Sequence, residues 1–256
     1  MDAITVVMLT KNSEQLLEEC LKSIYENVPV KRLVIVDGFS TDNTLKIIDG
    51  FNKKYGNVKI IFEKGSRAKA REKGIEEVET PWFMFVDSDV LLCKDWFKKA
   101  EKYMTRDDVG AVWGLNIDVI PNVKSRLFLK SLAFVARKCF DLRGGMHDTL
   151  IRHELVRDIR IPEQLHAYED AYIVNWIKKK NRKVIVGDDI YCLHFRPQND
   201  WNLRESVSLA VLEIRCGLVY SHIIKYAFYY PFFIFYWFLQ VLGKNSGTLP
   251  RRASQR

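Results

Sequence analysis

The chain has 256 residues, 48% of them hydrophobic and 28% charged, which excludes a disordered tract and allows one large α/β domain with a full core. A net charge of +8 suits an anionic partner, whether nucleotide diphosphate, nucleic acid or acidic membrane surface, without choosing among them. Five scattered cysteines with no CxxC pair and no Cys/His cluster of zinc-like spacing point away from a disulfide scaffold and toward a reducing compartment.

Strand and helix patterns alternate from the start. Ile4 to Leu9 is an apolar, β-branched run, and Ser13 to Tyr25 follows with helical spacing at Leu16, Leu17, Cys20, Leu21 and Ile24, Ser13 being a suitable N-cap. Leu33 to Val36 is a second strand, followed by a helix from about Thr41 to Tyr55. Val58 to Phe62 and a helix from Arg67 to Val78 come next. Pro81 breaks the chain before a strand at Phe83–Val86. A helix at Trp96 to Met104 and a strand at Val109 to Trp113 complete the series. This alternation predicts right-handed βαβ units and a Rossmann-like, mostly parallel sheet flanked by helices. The predicted domain spans residues 1–203, with an apolar and basic helical tail over 204–256.

Three of the strands end in polar residues: Thr10-Lys11-Asn12, Asp37-Gly38-Phe39-Ser40-Thr41-Asp42, and Asp87-Ser88-Asp89. In a parallel sheet these ends share one edge and outline a nucleotide cleft. Asp87 and Asp89, two apart in an extended segment, can point to one side and hold a hard cation such as Mg²⁺ or Mn²⁺. A turn rich in Asp and Ser would also end a strand this way. No GxGxxG and no GxxxxGK[ST] is present, which weighs against a dinucleotide fingerprint or a Walker A loop.

Taken in order, these motifs resemble a family 2 glycosyltransferase of the GT-A fold, over roughly residues 3 to 195. Val6 to Glu14 resembles the opening strand and its polar turn. Val36-Asp37-Gly38-Phe39-Ser40-Thr41-Asp42-Asn43-Thr44 resembles the VDDGSTDGT element. Gly65 to Gly74, with Ala70-Arg71, resembles the "G…AR..G" helix. Val86-Asp87-Ser88-Asp89 resembles the DxD motif and Tyr168-Glu169-Asp170 the later ED motif. The acceptor-side QxxRW of processive synthases is absent, so a non-processive enzyme is expected.

The resemblance implies a metal-dependent, inverting hexosyltransferase using a nucleotide-diphospho-sugar. Asp37 would hydrogen-bond the base, a carboxylate matching the N–H edge of uracil or guanine; the alternative is an Asx-turn residue capping the following helix, a place Ser40 or Thr41 could fill equally well. Thr10, Asn12 and Glu14 would line the same pocket, and Arg71 would lie near the diphosphate or nucleoside. Asp87 would sit by the ribose or a bridging water, with Asp89 the direct ligand of a manganese or magnesium ion and His194 a third ligand. The cation would stabilise charge on the departing diphosphate. Asp170, with Glu169 as second choice, would take the acceptor's proton; acids in a first helical turn are also favoured by the dipole alone. Gly144-Gly145 would lie near the donor sugar, while His147 and Asp148 stand in the same loop without an assigned role. Phe39 replaces a small residue and alters the expected shape of the base pocket.

Tyr226 to Leu242 carries no charge, is rich in Tyr and Trp, contains Pro231 and is followed by Lys244, Arg251, Arg252 and Arg256. It is borderline for a span of about 20 residues and suits the headgroup region. Lys124 to Phe140 mixes basic and large apolar residues, as an interfacial helix does. A core or oligomer helix would explain either segment, so a homo-oligomer stays open.

The expected acceptor is therefore lipid-borne, a polyprenyl phosphate or a lipid-linked glycan. The expected location is the cytoplasmic face of the cell membrane, peripheral or tail-anchored, the N-terminus entering a strand without a leader-like segment. No nucleic-acid partner is expected, because the one basic run, Lys178 to Lys183, suits a helix C-terminus. A sugar nucleotidyltransferase or a non-catalytic nucleotide- or membrane-binding scaffold are the competing readings.

Overall fold

A computed structural model describes residues 2–119, 145–165 and 168–195, together with Pro231, Phe235 and Phe238. Its strands are β1 (Ile4–Thr10), β2 (Val30–Asp37), β3 (Val58–Phe62), β4 (Trp82–Val86), β5 (Val90–Leu92), β6 (Val109–Asp118), β7 (Asp148–Arg152) and β8 (Lys183–His194). The helices are α1 (Leu17–Asn27), α2 (Thr44–Tyr55), α3 (Arg67–Glu76), α4 (Trp96–Met104) and α5 (Glu169–Lys179), with a 3₁₀ turn at His153–Leu155.

The eight strands form one sheet in the order β3-β2-β1-β4-β7-β6-β8-β5. β1, β2, β3 and β4 pair in parallel, as βα units connected by crossover helices must. β7 enters antiparallel between β4 and β6, and β5 pairs antiparallel with β8. β6 pairs in parallel with β8, so the sheet is mixed, with four parallel pairings and three antiparallel ones that involve β7 and β5. The antiparallel strands depend on pairings between residues far apart in sequence, such as Val86 with Asp148.

Both faces of the parallel half are covered, which is why its strands read as continuous apolar runs. Alternate side chains split between two cores. Val6, Met8, Leu33, Ile35, Met84 and Val86 pack with Leu21 and Ile24 of α1, Ile48 of α2 and Trp96 of α4. Val7, Val34, Val36, Phe83 and Phe85 pack with Ala68 and Ile75 of α3 and Ile173, Val174 and Ile177 of α5. At Gly74 a Cβ would sit 2.4 Å from Val7 Cγ1, so the absence of a side chain lets α3 lie close on β1.

Helix α1 starts at Leu17, four residues after the expected cap. Ser13 instead sends its backbone N–H to Thr44 Oγ1 and shares a hydroxyl hydrogen bond with Ser88 Oγ, both across the strand ends. The other helices of the first half lie within a few residues of their expected positions, and α4 matches at both ends. The basic-apolar segment 124–140 and the expected tail lie outside the described residues apart from Pro231, Phe235 and Phe238. Among the described residues no helix is long and apolar enough to cross a membrane.

Candidate active site

The carboxyl ends of β1 and β2 meet at Thr10 and Asp37, which are register partners. Thr10 Oγ1 donates to Asp37 Oδ2 at 2.8 Å, Ser40 Oγ donates to the same oxygen at 2.6 Å, and Ser40 N donates to Oδ1 at 2.7 Å. The carboxylate is 0% exposed and accepts from three protein donors, two on Oδ2 and one on Oδ1. In this geometry Asp37 ties the β1 and β2 loops together.

Asn12 and Glu14 also bond across these loops, though both stay exposed. Asn12, at φ 51°, accepts from Thr41 N at 2.9 Å and donates its own N–H to Ser40 Oγ. Glu14 Oε2 accepts from both the backbone and the side-chain nitrogen of Asn43. Polar side chains here replace the missing ladder beyond the strand ends. The loops also present Phe39 to solvent, 45% exposed, beside Phe62 at 47%.

The acidic turn follows β4. Asp87 N donates to His147 O at 3.1 Å, and the Cys20 thiol, kept protonated by burial, donates to Asp87 O. Asp87 Oδ1 accepts from Arg71 Nη2 at 3.0 Å, and Arg71 Nε lies 3.7 Å from Glu169 Oε1. The Arg71 side chain is 5% exposed and its guanidinium stacks 4.6 Å from the Phe85 ring. Arg71, placed by the sequence near the diphosphate or the nucleoside, is buried between two carboxylates, with Nη1 making no hydrogen bond among the described residues. Burial alone would raise the Asp87 carboxyl, but attraction to Arg71, then to His194 and His147, holds it below its ordinary value.

Asp89 faces a different partner. Its Oδ1 lies 3.2 Å from His194 Nε2, and its backbone oxygen accepts from Phe195 N. The pairing of β5 with β8, which sets Val90 opposite His194, brings the two together. A carboxylate oxygen beside an imidazole nitrogen is a donor set that suits Mn²⁺, and neither side chain is sealed from the cleft. The tight three-ligand group that the described residues do form is another one, His147, Asp148 and Cys192, whose ligand atoms lie within 4.8 Å of each other. Asp148 there already accepts from Trp96 Nε1 at 2.8 Å, from Gly114 N at 3.2 Å and pairs with His147 Nδ1 at 2.6 Å. That pattern is a buried carboxylate fixing the His147 ring beside the acidic turn. Sequence reasoning gave His147 and Asp148 no role, because their place depends on the antiparallel entry of β7.

Helix α5 opens on Glu169 and Asp170, after Tyr168 at φ 87°. Glu169 is buried against Arg71. Burial first, and the neighbouring Glu169 second, push the Asp170 carboxyl up to about 7, against the opposing pull of the Ala171 N–H and Arg71. The structure thus joins Asp87 and Glu169 through the Arg71 guanidinium with Asp170 next in the chain, sets Asp89 with His194, and ties Thr10, Asn12, Glu14 and Asp37 into the loop framework.

The chain is 26% identical over 204 residues to a poly(ribitol-phosphate) beta-glucosyltransferase of Bacillus spizizenii, covering 74% of this chain and 32% of the relative. It therefore spans about a third of that relative's length. Its fold matches S. aureus TarS 1–349 in complex with UDP at a TM-score of 0.58, with 22% identity over 76% of this chain and 61% of that one. It also matches the mannosyltransferase PcManGT of Pyrobaculum calidifontis in complex with GDP-Man and Mn²⁺, at a TM-score of 0.59 and 20% identity over 77% and 58%. These likenesses establish a GT-A-like α/β fold. The family model for glycosyl transferase family 2 matches residues 5–147, more than half of the sequence, and the chain belongs to that family.

Proposed function

We propose that this chain transfers a sugar, with inversion, from a nucleotide-diphospho-sugar (a UDP- or GDP-sugar) to a lipid-borne acceptor. The observation that carries the reading is the buried Arg71 bridge, which fastens the acidic turn at Asp87 to the Glu169-Asp170 helix start. Two sites on separate elements, one for a leaving diphosphate and one for an acceptor, are thereby held at fixed spacing. Fold relatives bound to UDP and to GDP-Man with Mn²⁺ support a nucleotide-sugar donor and a divalent cation.

Asp89 and His194 are the residues that would hold a manganese or magnesium ion. When bound, it supplies positive charge to the departing diphosphate. Asp87, oriented by Arg71, lines the ribose side of the same turn. The acceptor oxygen attacks the anomeric carbon from the face opposite the diphosphate. As the new C–O bond forms, the bond from that carbon to the β-phosphate oxygen breaks and its electron pair leaves with the nucleoside diphosphate. The acceptor's proton passes to an Asp170 oxygen, whose pKa near 7 matches a base working at neutral pH.

The lipid-borne acceptor and a place on the cytoplasmic membrane face rest on the uncharged run Tyr226–Leu242 and the basic residues after it. The same run, with residues 204–256 as a tail on a catalytic domain, leaves room for a homo-oligomer. A second acceptor class, the hydroxyls of a polyol-phosphate chain, is favoured by the name of the Bacillus spizizenii relative. An acceptor that is already an ionised phosphate needs no base, whereas a hydroxyl does. Release of nucleoside diphosphate by wild type and Asp170→Asn, with polyprenyl phosphate and with polyol-phosphate acceptors, tests the reading. Turnover by Asp170→Asn only with the phosphate acceptor fits it; near-normal turnover with a hydroxyl acceptor rules out the base.

A further inference from the structure

We propose that Phe39 and Phe62, with Lys64 beside them, form the platform on which the donor's nucleobase stacks. This rests on the nucleotide-sugar reading above and adds how the base is gripped by its face.

Phe39 follows β2 by two residues and Phe62 is the last residue of β3, whose register partner is Asp37. Both rings therefore stand at the carboxyl ends of parallel strands, where open sheets bind their ligands. They are 45% and 47% exposed and tilt against each other with centroids 5.3 Å apart. Tyr55, comparably exposed, is stacked on Tyr25 at 3.7 Å and has a packing reason for its position; among the described residues the two phenylalanines have no aromatic partner but each other.

The backbone makes the exposure costly. Phe39 sits at φ 61°, a region that a bulky side chain rarely enters. It is fixed there by the next residue, Ser40, whose N–H and hydroxyl are both bound to Asp37. The hydrogen bonds between Asp37 and Ser40 thus hold an aromatic ring out at the cleft end. Lys64 Nζ lies 4.8 Å over the Phe39 ring and is a donor without acceptor capacity, which suits the carbonyl edge of a base.

The size of the patch selects the occupant. A protein or membrane contact needs a contiguous apolar surface of several hundred Å², whereas two rings and one ammonium match a single planar heterocycle. Stacking is tolerant of base identity, since every base has a π face. The platform would accept uracil and guanine alike, leaving selectivity to Lys64 and to the sugar.

The test is calorimetric titration of UDP, GDP and inorganic pyrophosphate, each with Mn²⁺, into wild type, Phe39→Ala, Phe62→Ala and Phe39→Tyr. The expected result is a loss of roughly tenfold in UDP and GDP affinity in each alanine variant. Phe39→Tyr should bind as wild type, and pyrophosphate, which has no base, should bind all four proteins equally. Unchanged UDP affinity in both alanine variants would overturn the platform, as would an equal loss for pyrophosphate. Wild type that binds neither UDP nor GDP would overturn the donor reading too, and is told apart because it appears before any substitution.

Discussion

Arg71 Nη2 meets Asp87 Oδ1 at 3.0 Å from a side chain that is only 5% exposed, while its Nε faces the buried Glu169 at 3.7 Å. One helix-borne cation thereby joins a strand end to a helix start 82 residues later in the chain. Two carboxylates packed this close would repel without it, and an unpaired charge left buried is costly. Arg71→Met should therefore destabilise the fold by about 2–4 kcal/mol, chiefly by stranding Glu169. Urea unfolding of Arg71→Met and of the double variant Arg71→Met/Glu169→Gln checks this, the second change recovering much of the loss.

The pH dependence follows from Asp170. Its folded pKa, about 7, lies above the ordinary carboxyl value of 3.8. Between those values the folded chain holds a proton that the unfolded chain has released. Stability from this group is thus complete below about pH 4 and declines as pH rises through 7, by up to about 1.4 kcal/mol per pH unit. Asp170→Asn should flatten that slope in denaturant titrations at pH 5, 6 and 7. Transfer to a hydroxyl acceptor should show the opposite trend, rising as pH passes through about 7 and levelling above it.

The Asp37 cluster is predicted to be structural. Thr10→Val keeps the shape of the side chain but removes one of three donors to a fully buried carboxylate. A loss of about 1–3 kcal/mol is expected, read as a lower urea midpoint with unchanged slope. Base affinity should fall no more than this loosening of the Phe39 loop explains.

Gly74 tests the packing of α3 on β1. A methyl group there would stand 2.4 Å from Val7 Cγ1. Gly74→Ala should cost about 1–3 kcal/mol, and Gly74→Ala/Val7→Ala should be more stable than Gly74→Ala alone. Thermal melts of the two variants suffice to check it.

Much of this architecture was legible because local patterns and tertiary structure agree. Buried parallel strands such as Trp82–Val86 carry uninterrupted apolar runs, and the acidic turn after them stands out. The helix start at Glu169-Asp170 was visible from its spacing. What was hidden depends on contacts between distant residues. Nothing near Asp148 announces that it will pair beside Val86, so the mixed sheet and the fixed His147 ring were out of reach. Ser13 looked like a helix cap because Ser commonly is one, but Thr44 and Ser88 compete for it. The hydrogen bonds of Thr10 and Ser40 to Asp37 likewise depend on β1 and β2 lying side by side, which the sequence around Asp37 does not announce.

The central claim is that Asp89 and His194 hold a divalent cation on the diphosphate of a sugar donor. Its most direct test is Mn²⁺ titration in the presence of UDP, followed by electron paramagnetic resonance, for wild type, Asp89→Asn and His194→Ala. The account predicts UDP-dependent Mn²⁺ binding in wild type, weakened at least tenfold in both variants with the fold intact. Mn²⁺ binding by both variants at wild-type affinity would contradict it.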